Sequence, residues 1–336
     1  MPSQHYLATP TLLNWIARVV QSRYLENQMS KAAEAVGTLG FVGFGEAAYH
    51  LTKGLQTEGL TTTAAYDIHT NTPGRGEKIR ARAAETGTTL CSDSAELASR
   101  SKIIISAVTV DQAVAAAQQT APHLTPEHLY ADLNSISPKA KQEVARIVEA
   151  TGARFCEIAV MGPVPPKKHK VPLLLGGAGA PEFEALFAPL GMNLDIVATD
   201  RTGSAAAVKM FRSVVYKGLE ALLFECVLGA SQYGAEGRVF KSLEASIPGV
   251  DWEKLASYMI SRVVVHGERR AREMDEVAKT LSELDIEPLM ASATARRFDW
   301  AADLGLREEF GGEFPETFQE VLEKIAARAQ STKQPA

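Results

Sequence analysis

From residue 37 onward the chain alternates short apolar runs with stretches of helical periodicity. Leu39-Gly40-Phe41-Val42 reads as a first buried strand, and Glu46 to about Leu55 as the helix that follows it. Thr61 to Asp67 is a β-branched second strand, Ala81 to Thr86 belong to another helix, and Lys102 to Val108 form a largely apolar third strand. The pattern continues with a helix over Asp111 to Gln119 and strands over Leu129 to Leu133 and Arg154 to Val160. Between those two strands, Ser137-Pro138 opens a helix with a hydroxyl cap and a proline at its first position, and Gly152 closes it. Strands alternating with helices imply βαβ units in a mostly parallel, doubly wound sheet.

Past this point the period changes. After Val171 to Gly176 and Leu194 to Val197, strand patterns largely cease. Three helical patterns follow, over Thr202 to Tyr233, Trp252 to Leu284 and Pro315 to Gln330, the second closed by Asp285 and Pro288. The expected fold is α/β: a doubly wound parallel sheet and then an all-α domain. The expected divisions are an N-terminal extension (1–36), a sheet domain (37–200) and a helical domain (201–330). Within the extension, Leu12 to Tyr24 has an amphipathic pattern with Leu13, Ile16 and Val20 on one face. It lacks the sustained apolar core of a secretory signal, and Glu26 and Glu34 disfavour a transit peptide. Met29 is a plausible second start, so residues 1–28 are expected to be dispensable for activity.

Composition narrows the classes. The 336 residues, 46% hydrophobic and 22% charged, suit two globular domains in solution. A formal net charge of −5 argues against a dedicated nucleic-acid binder, and no apolar run approaches a membrane span. Cys91, Cys156 and Cys226 are odd in number and form no CxxC, which suits a reducing cytoplasm and offers no metal site.

The first strand breaks into Gly43-x-Gly45-x-x-Ala48 as its helix begins, the pattern of a dinucleotide-binding turn. Gly43 permits the tight turn, Gly45 lets the backbone approach a pyrophosphate, and Ala48 lets helix and strand pack closely. The sheet domain is therefore expected to be a Rossmann domain, with Phe44, Glu46 and Ala47 also at the cofactor. Asp67 ends the second strand, where a carboxylate can accept from ribose hydroxyls and repel a 2′-phosphate, favouring NAD over NADP. It can equally be a turn aspartate before Thr70 to Gly74, and Arg75, Arg80 and Arg82 could hold a phosphate instead. On the long helical pattern, Lys209, Arg212, Ser213, Tyr216 and Glu220 share one arc, with Val208, Phe211, Val215, Leu222 and Cys226 on other sides. So apolar a helix should be buried, its polar stripe facing a cleft or partner, and a desolvated lysine there would suit proton transfer. A solvated outer face fits the periodicity as well.

Four motifs carry a resemblance to the β-hydroxyacid dehydrogenase family, which includes 3-hydroxyisobutyrate and 6-phosphogluconate dehydrogenases. Gly40 to Gly45 is similar to the family's opening G-F-I-G-L-G, and Asp132-Leu133-Asn134-Ser135-Ile136-Ser137-Pro138 resembles its D-x-S-T-x-x-P segment. Glu157 to Pro163 occupies the place of D-A-P-V-S-G-G, and Gly203 to Lys209 that of the G-x-G-x-x-x-K segment bearing the catalytic lysine. The resemblance spans about residues 38–230, and the segment around His266 to Arg270 resembles a poorly characterised subgroup with its own C-terminal domain.

What the resemblance implies is hydride transfer between a nicotinamide cofactor and a small hydroxy acid or related alcohol, with Lys209 as general acid/base. Ser135 and the backbone at Gly162 would hold a polar group of the substrate, and Val108 and Thr109 would approach the cofactor. Similar proteins are homodimers. Ser213 stands where the family usually has asparagine, Met161 replaces a substrate-binding serine, and Pro163 removes an N–H. Those departures keep open an imine or oxo-acid reductase, and a non-catalytic dinucleotide sensor is a further alternative. His266, Arg269, Arg270 and Glu273 share one face of a later helix, which is either a solvated face with an Arg269–Glu273 pair or a part of the site. Lys167-Lys168-His169-Lys170 reads as a surface loop or an anion attractor.

Overall fold

A computed structural model describes residues 27–331. The amphipathic pattern over Leu12 to Tyr24 lies outside the described residues. Two compact units divide the chain, 1–207 and 208–336.

The first unit holds one eight-stranded sheet. Its strands are β1 (Leu39–Val42), β2 (Thr63–Tyr66), β3 (Thr89–Leu90), β4 (Ile103–Ser106), β5 (Leu129–Asp132), β6 (Arg154–Val160), β7 (Pro172–Gly176) and β8 (Asn193–Ala198). They run in the order β3-β2-β1-β4-β5-β6-β7-β8. All pairs are parallel except β6–β7, where the chain turns back. Alternation along the strands divides the apolar side chains between two cores. Leu39, Phe41, Ile103, Ile105, Leu129 and Ala131 point to one face, under α1 (Glu46–Thr57) and α2 (Arg75–Thr86). Val42, Ile104 and Tyr130 point to the other, under α3 (Ser94–Arg100), α4 (Ala113–Thr120) and α5 (Pro138–Glu149). The sheet is doubly wound, as expected, and α6 (Ala180–Phe187) adds Phe183 and Phe187 to the first core.

Three expectations change in this unit. The helix foreseen over residues 81–86 begins at Arg75, because Glu77 reaches back to accept from the Gly74 N–H at 3.1 Å. α3 gave no periodic signal, since its seven residues bury only Ser94, Leu97 and Ala98, yet Asp93 caps it by accepting from Glu96 N at 2.8 Å. The basic run after residue 166 is anchored: His169 is buried, and Glu58 pairs with both His169 (3.2 Å) and Lys170 (2.9 Å).

The second unit is helical: α7 (Ser204–Ser231, which starts in the first unit), α8 (Glu236–Ser246), α9 (Trp252–Ser282), α10 (Leu289–Asp303) and α11 (Phe318–Ser331). The α9 start matches the expectation, with Asp251 accepting from Lys254 N at 3.0 Å. α10 went unforeseen because its buried stripe is made of small residues, Ala291, Thr294, Ala295 and Ala301, around Phe298. Small residues permit close approach, and Gly267 of α9 completes it: a Cβ there would lie 2.9 Å from Phe298 O. α7 is less buried than its composition suggests. Phe224 and Val227 enter the helical core, but Val208, Phe211, Val215 and Leu222 stand exposed.

Two buried carboxylates tie the first unit together. Asp132, at the end of β5, takes the Lys141 ammonium of α5, which also donates to Asp132 O (2.7 Å) and Ile158 O (3.1 Å). Glu157 of β6 accepts from Gly203 N and Ala206 N, both at 2.6 Å, and so caps the start of α7. Removing one partner of a buried pair strands the other charge. Lys141→Met is therefore expected to cost about 3–5 kcal/mol in urea unfolding. Lys139→Met, at an exposed neighbouring position, should stay within about 0.5 kcal/mol. Equal effects would refute the role given to Lys141.

Candidate active site

β1 ends at Val42, and the chain turns through Gly43 with φ +84°. A Cβ at Gly43 would lie 2.6 Å from Ala107 O and 2.8 Å from Val108 Cγ1, so both conformation and space require glycine. Gly45 differs: a Cβ there would meet nothing within 4 Å. No side chain caps α1 at Gly45, so its first N–H groups face outward at the positive end of the helix.

A cleft of about 380 Å³ opens over this turn. The cofactor residues expected from the sequence line it, with Phe44 the exception. The Phe44 ring is wholly buried, edge-on to Phe41 at 5.9 Å, and its N–H donates to Asp67 Oδ2 at 2.9 Å. Asp67 Oδ1 accepts from His69 N at 2.8 Å. The carboxylate thus serves the turn, as one reading had it, and still lines the cleft with lone pairs to offer. Of the three arginines considered for a phosphate, Arg75 lines the cleft beside His69. Arg80 instead donates to Thr70 O, and Arg82 lies over the Tyr49 ring at 5.9 Å.

The far wall depends on contacts that the motif reading did not show. Val108 N donates to Asn134 Oδ1 at 2.8 Å, and Asn134 Nδ2 donates to Ser106 Oγ (3.0 Å) and Asp132 Oδ2 (2.7 Å). Lys141 fixes Asp132 in turn, so one buried chain of polar contacts sets the loop after β4. The spacing Asp132-x-Asn134 was visible as a motif; its partner on α5 was not. Ser135, next to Asn134, is half-buried, as are Met161 and Gly162. A Cβ at Gly162 would meet only Val171 Cγ2, at 3.7 Å, so neither conformation nor packing demands glycine there.

In the second unit, Lys209 is half-buried on α7. Ser213 donates its hydroxyl to Lys209 O at 3.0 Å, so that donor is spent within the helix. Further along, Lys217 Nζ meets Glu273 Oε2 of α9 at 2.5 Å, and Arg269 pairs with the other oxygen of Glu273. Arg270 reaches the fully buried Glu220 at 2.5 Å. The Arg269–Glu273 pair is present as read from the sequence, but the cluster also grips α7. His266 sits at a break in α9 (φ −124°, ψ 18°), against the Phe314 ring at 5.4 Å. Burial and the nearby Arg269, Arg270, Arg262 and Arg307 hold its imidazole below the usual histidine range.

Similarity to known proteins agrees with this geometry. Residues 38–194 match the NAD binding domain of 6-phosphogluconate dehydrogenase. Residues 230–301 match a domain of unknown function, DUF1932. A conserved hypothetical protein from Sinorhizobium meliloti 1021 is 35% identical, with a TM-score of 0.75 over 87% of this chain and 97% of that one. The conserved protein MTH1747, of unknown function and described as structurally similar to 3-hydroxyacid dehydrogenases, is 31% identical, with a TM-score of 0.69 over 80% of this chain and 98% of that one. The chain belongs to the β-hydroxyacid dehydrogenase family. A Mycobacterium tuberculosis 3-hydroxyisobutyrate dehydrogenase shares the fold at 16% identity and a TM-score of 0.66, covering 80% of this chain and 94% of that one. The family match covers an NAD binding domain, and two features of the turn suit a dinucleotide. Gly45 leaves room for a close backbone approach, and the uncapped α1 N-terminus presents donors to phosphate.

Two outcomes follow. Gly45→Ala should leave stability within about 1 kcal/mol, the cost of a surface change, yet weaken reduced-cofactor binding at least tenfold by fluorescence titration. Gly43→Ala should damage both; equal binding by Gly45→Ala and the unchanged protein would reject the cradle. For Glu220, burial pushes the carboxyl up to about 7 against the pull of Arg270 and Lys217. A carboxyl raised in the fold stabilises most below the ordinary carboxylate range and loses that contribution as pH rises through about 7. Unfolding followed from pH 5 to 8 should therefore show stability falling by about 1–3 kcal/mol relative to Glu220→Gln. Parallel pH profiles for the two proteins would contradict this.

Proposed function

We propose that the protein is an NAD(P)-dependent dehydrogenase acting on the CH–OH group of a small hydroxy acid or related alcohol. The observation that carries the reading is the cleft at Gly43-x-Gly45, which no side chain fills and whose helix end is uncapped, in a chain of this family. The bound nicotinamide supplies the hydride acceptor, or the donor in the reverse direction. The chain's own residues do the rest. Lys209 takes the hydroxyl proton as the substrate carbon is oxidised and returns it on reduction. Ser135 and the backbone at Gly162 bind a polar group of the substrate.

NAD is the preferred cofactor in this reading. Asp67, fixed by the Phe44 and His69 N–H groups, keeps a carboxylate beside the cleft, where it accepts ribose hydroxyls and repels a 2′-phosphate. Arg75, on the same cleft, is the group that would favour NADP.

A second reading, reduction of an imine or oxo acid, is favoured by one observation. Ser213 gives its hydroxyl to Lys209 O and so offers the substrate less than the family's asparagine would. Near-ultraviolet absorbance of reduced nicotinamide, followed with hydroxy acids, oxo acids and imines, separates the readings. Signal from a hydroxy acid supports the first, signal from imines alone supports the second, and binding without turnover indicates a sensor. Lys209→Ala is expected to lose at least about 10²-fold in turnover while still binding NADH, as removal of a general acid/base should. Near-normal turnover by that variant would reject Lys209 as the proton-transfer group.

A further inference from the structure

Four arginines lie on α9, and three of them have carboxylate partners. Arg269 pairs with Glu273, Arg270 with Glu220, and Arg272 with Asp275 and Asp299. Arg262 has no carboxylate partner among the described residues. It is half-buried all the same, and it lies against two aromatic rings. Its guanidinium carbon is 3.8 Å from the centre of the Phe314 ring and 4.5 Å from that of Tyr258. Tyr258 stands one turn back on α9, whereas Phe314 comes from the segment that leads into α11. One turn further on, His266 meets the same Phe314 ring edge-on at 5.4 Å and helps to fix it. Tyr258, Arg262 and His266 recur every four residues and so form one stripe of the helix.

An open hollow of about 850 Å³ has Tyr258, Arg262 and Phe314 on its wall. Both rings remain accessible, Tyr258 at 47% and Phe314 at 42%. Other polar groups of the hollow are engaged by the chain itself. Asp251 caps α9, and Glu253 accepts from Gln319 Nε2 at 3.3 Å. Ser261 donates to Tyr258 O and Thr317 to Glu320 Oε1, both at 2.8 Å. Asp251 and Glu253 also precede Arg262 by nine residues or more, at least roughly 13 Å along the axis. Lys254 and Glu316, also on the wall, are exposed. The rings attract the guanidinium through their faces but bring it no negative charge. The hollow thus holds a half-buried cation that still lacks an anion.

We infer that this hollow is a binding site for a small organic carboxylate with a flat apolar body. The guanidinium fork donates to both carboxylate oxygens, and the body of the ligand covers the accessible faces of Tyr258 and Phe314. Inorganic phosphate offers the fork a similar pair of oxygens but has nothing to lay on the rings. The site stands on groups of the helical unit and does not depend on the reading of Lys209.

Isothermal titration calorimetry of the full chain with benzoate, phenylacetate or inorganic phosphate, with and without saturating NADH, tests this. One aryl carboxylate should bind saturably per chain, persist under NADH, and exceed phosphate in affinity at least about tenfold. Arg262→Gln should weaken that binding at least about tenfold, as loss of a charge-assisted pair does. Arg262→Lys, which keeps the charge but not the fork, should recover only part of it. Phe314→Leu should weaken benzoate and leave phosphate unchanged. Arg272→Gln, at an arginine already paired, should bind as the unchanged protein does. The proposal is overturned if neither aryl carboxylate binds saturably, if NADH displaces it, or if phosphate binds as tightly. Binding that survives Arg262→Gln intact overturns it as well. Should that variant fail to fold, Arg262→Lys decides, and affinity equal to that of the unchanged protein rejects the fork.

Discussion

A carboxylate taken fully out of water must find donors, and Glu157 finds them in the first N–H groups of α7. This contact couples β6, the last strand that runs parallel to β1, to the helix that carries Lys209. It also explains two glycines. At Gly176 a Cβ would come within 2.5 Å of Glu157 Oε2, and Gly203 turns the chain at φ +99° against Pro138. With the acid at a helix N-terminus, charge and dipole reinforce each other, so burial costs less than for an isolated ion. The start of α7 is thereby fixed at Ser204, and Lys209 lies about one and a half turns beyond it.

The other buried charges follow the same logic on different scales. Lys141, Asp132 and Asn134 form one connected network, and its outermost member holds Val108 N at the cleft over the glycine turn. A rigid polar chain of this kind transmits the position of β5 and α5 to a loop that would otherwise depend on weak packing. In the helical unit the pairs Lys217–Glu273 and Arg270–Glu220 join α7 to α9 as two successive rungs. Each rung places a buried or half-buried acid opposite a cation, so this part of α7 is a structural seam against α9. The polar stripe is divided in burial: its Glu220 end is buried, while Arg212 remains exposed.

The sheet domain was legible because its signals are local. Apolar runs of four to seven residues, the Gly43-x-Gly45 turn and the Ser137-Pro138 helix start each depend on neighbours in sequence. Missed elements share a weaker signal. α3 is short, α10 buries mainly alanine and threonine, and the first turn of α2 is charged, so periodicity had little to register. Asp67 shows the same boundary within the site. Its place at the end of β2 was readable, but its bonds to Phe44 and His69 depend on how two strand ends meet.

By itself the sequence determined the alternation of strands and helices followed by a helical half, the glycine turn, and the motifs that mark Lys209, Ser135 and Gly162, because all of these are written in spacings of a few residues. Only the tertiary structure decided what each charged group answers to. Glu157 meets N–H groups 46 and 49 residues later, Lys217 meets Glu273 56 residues away, and Arg270 meets Glu220 at a separation of 50. Such partners are chosen by burial. A charge leaves water only where packing brings it a counterpart, and no local pattern records which distant residue that will be.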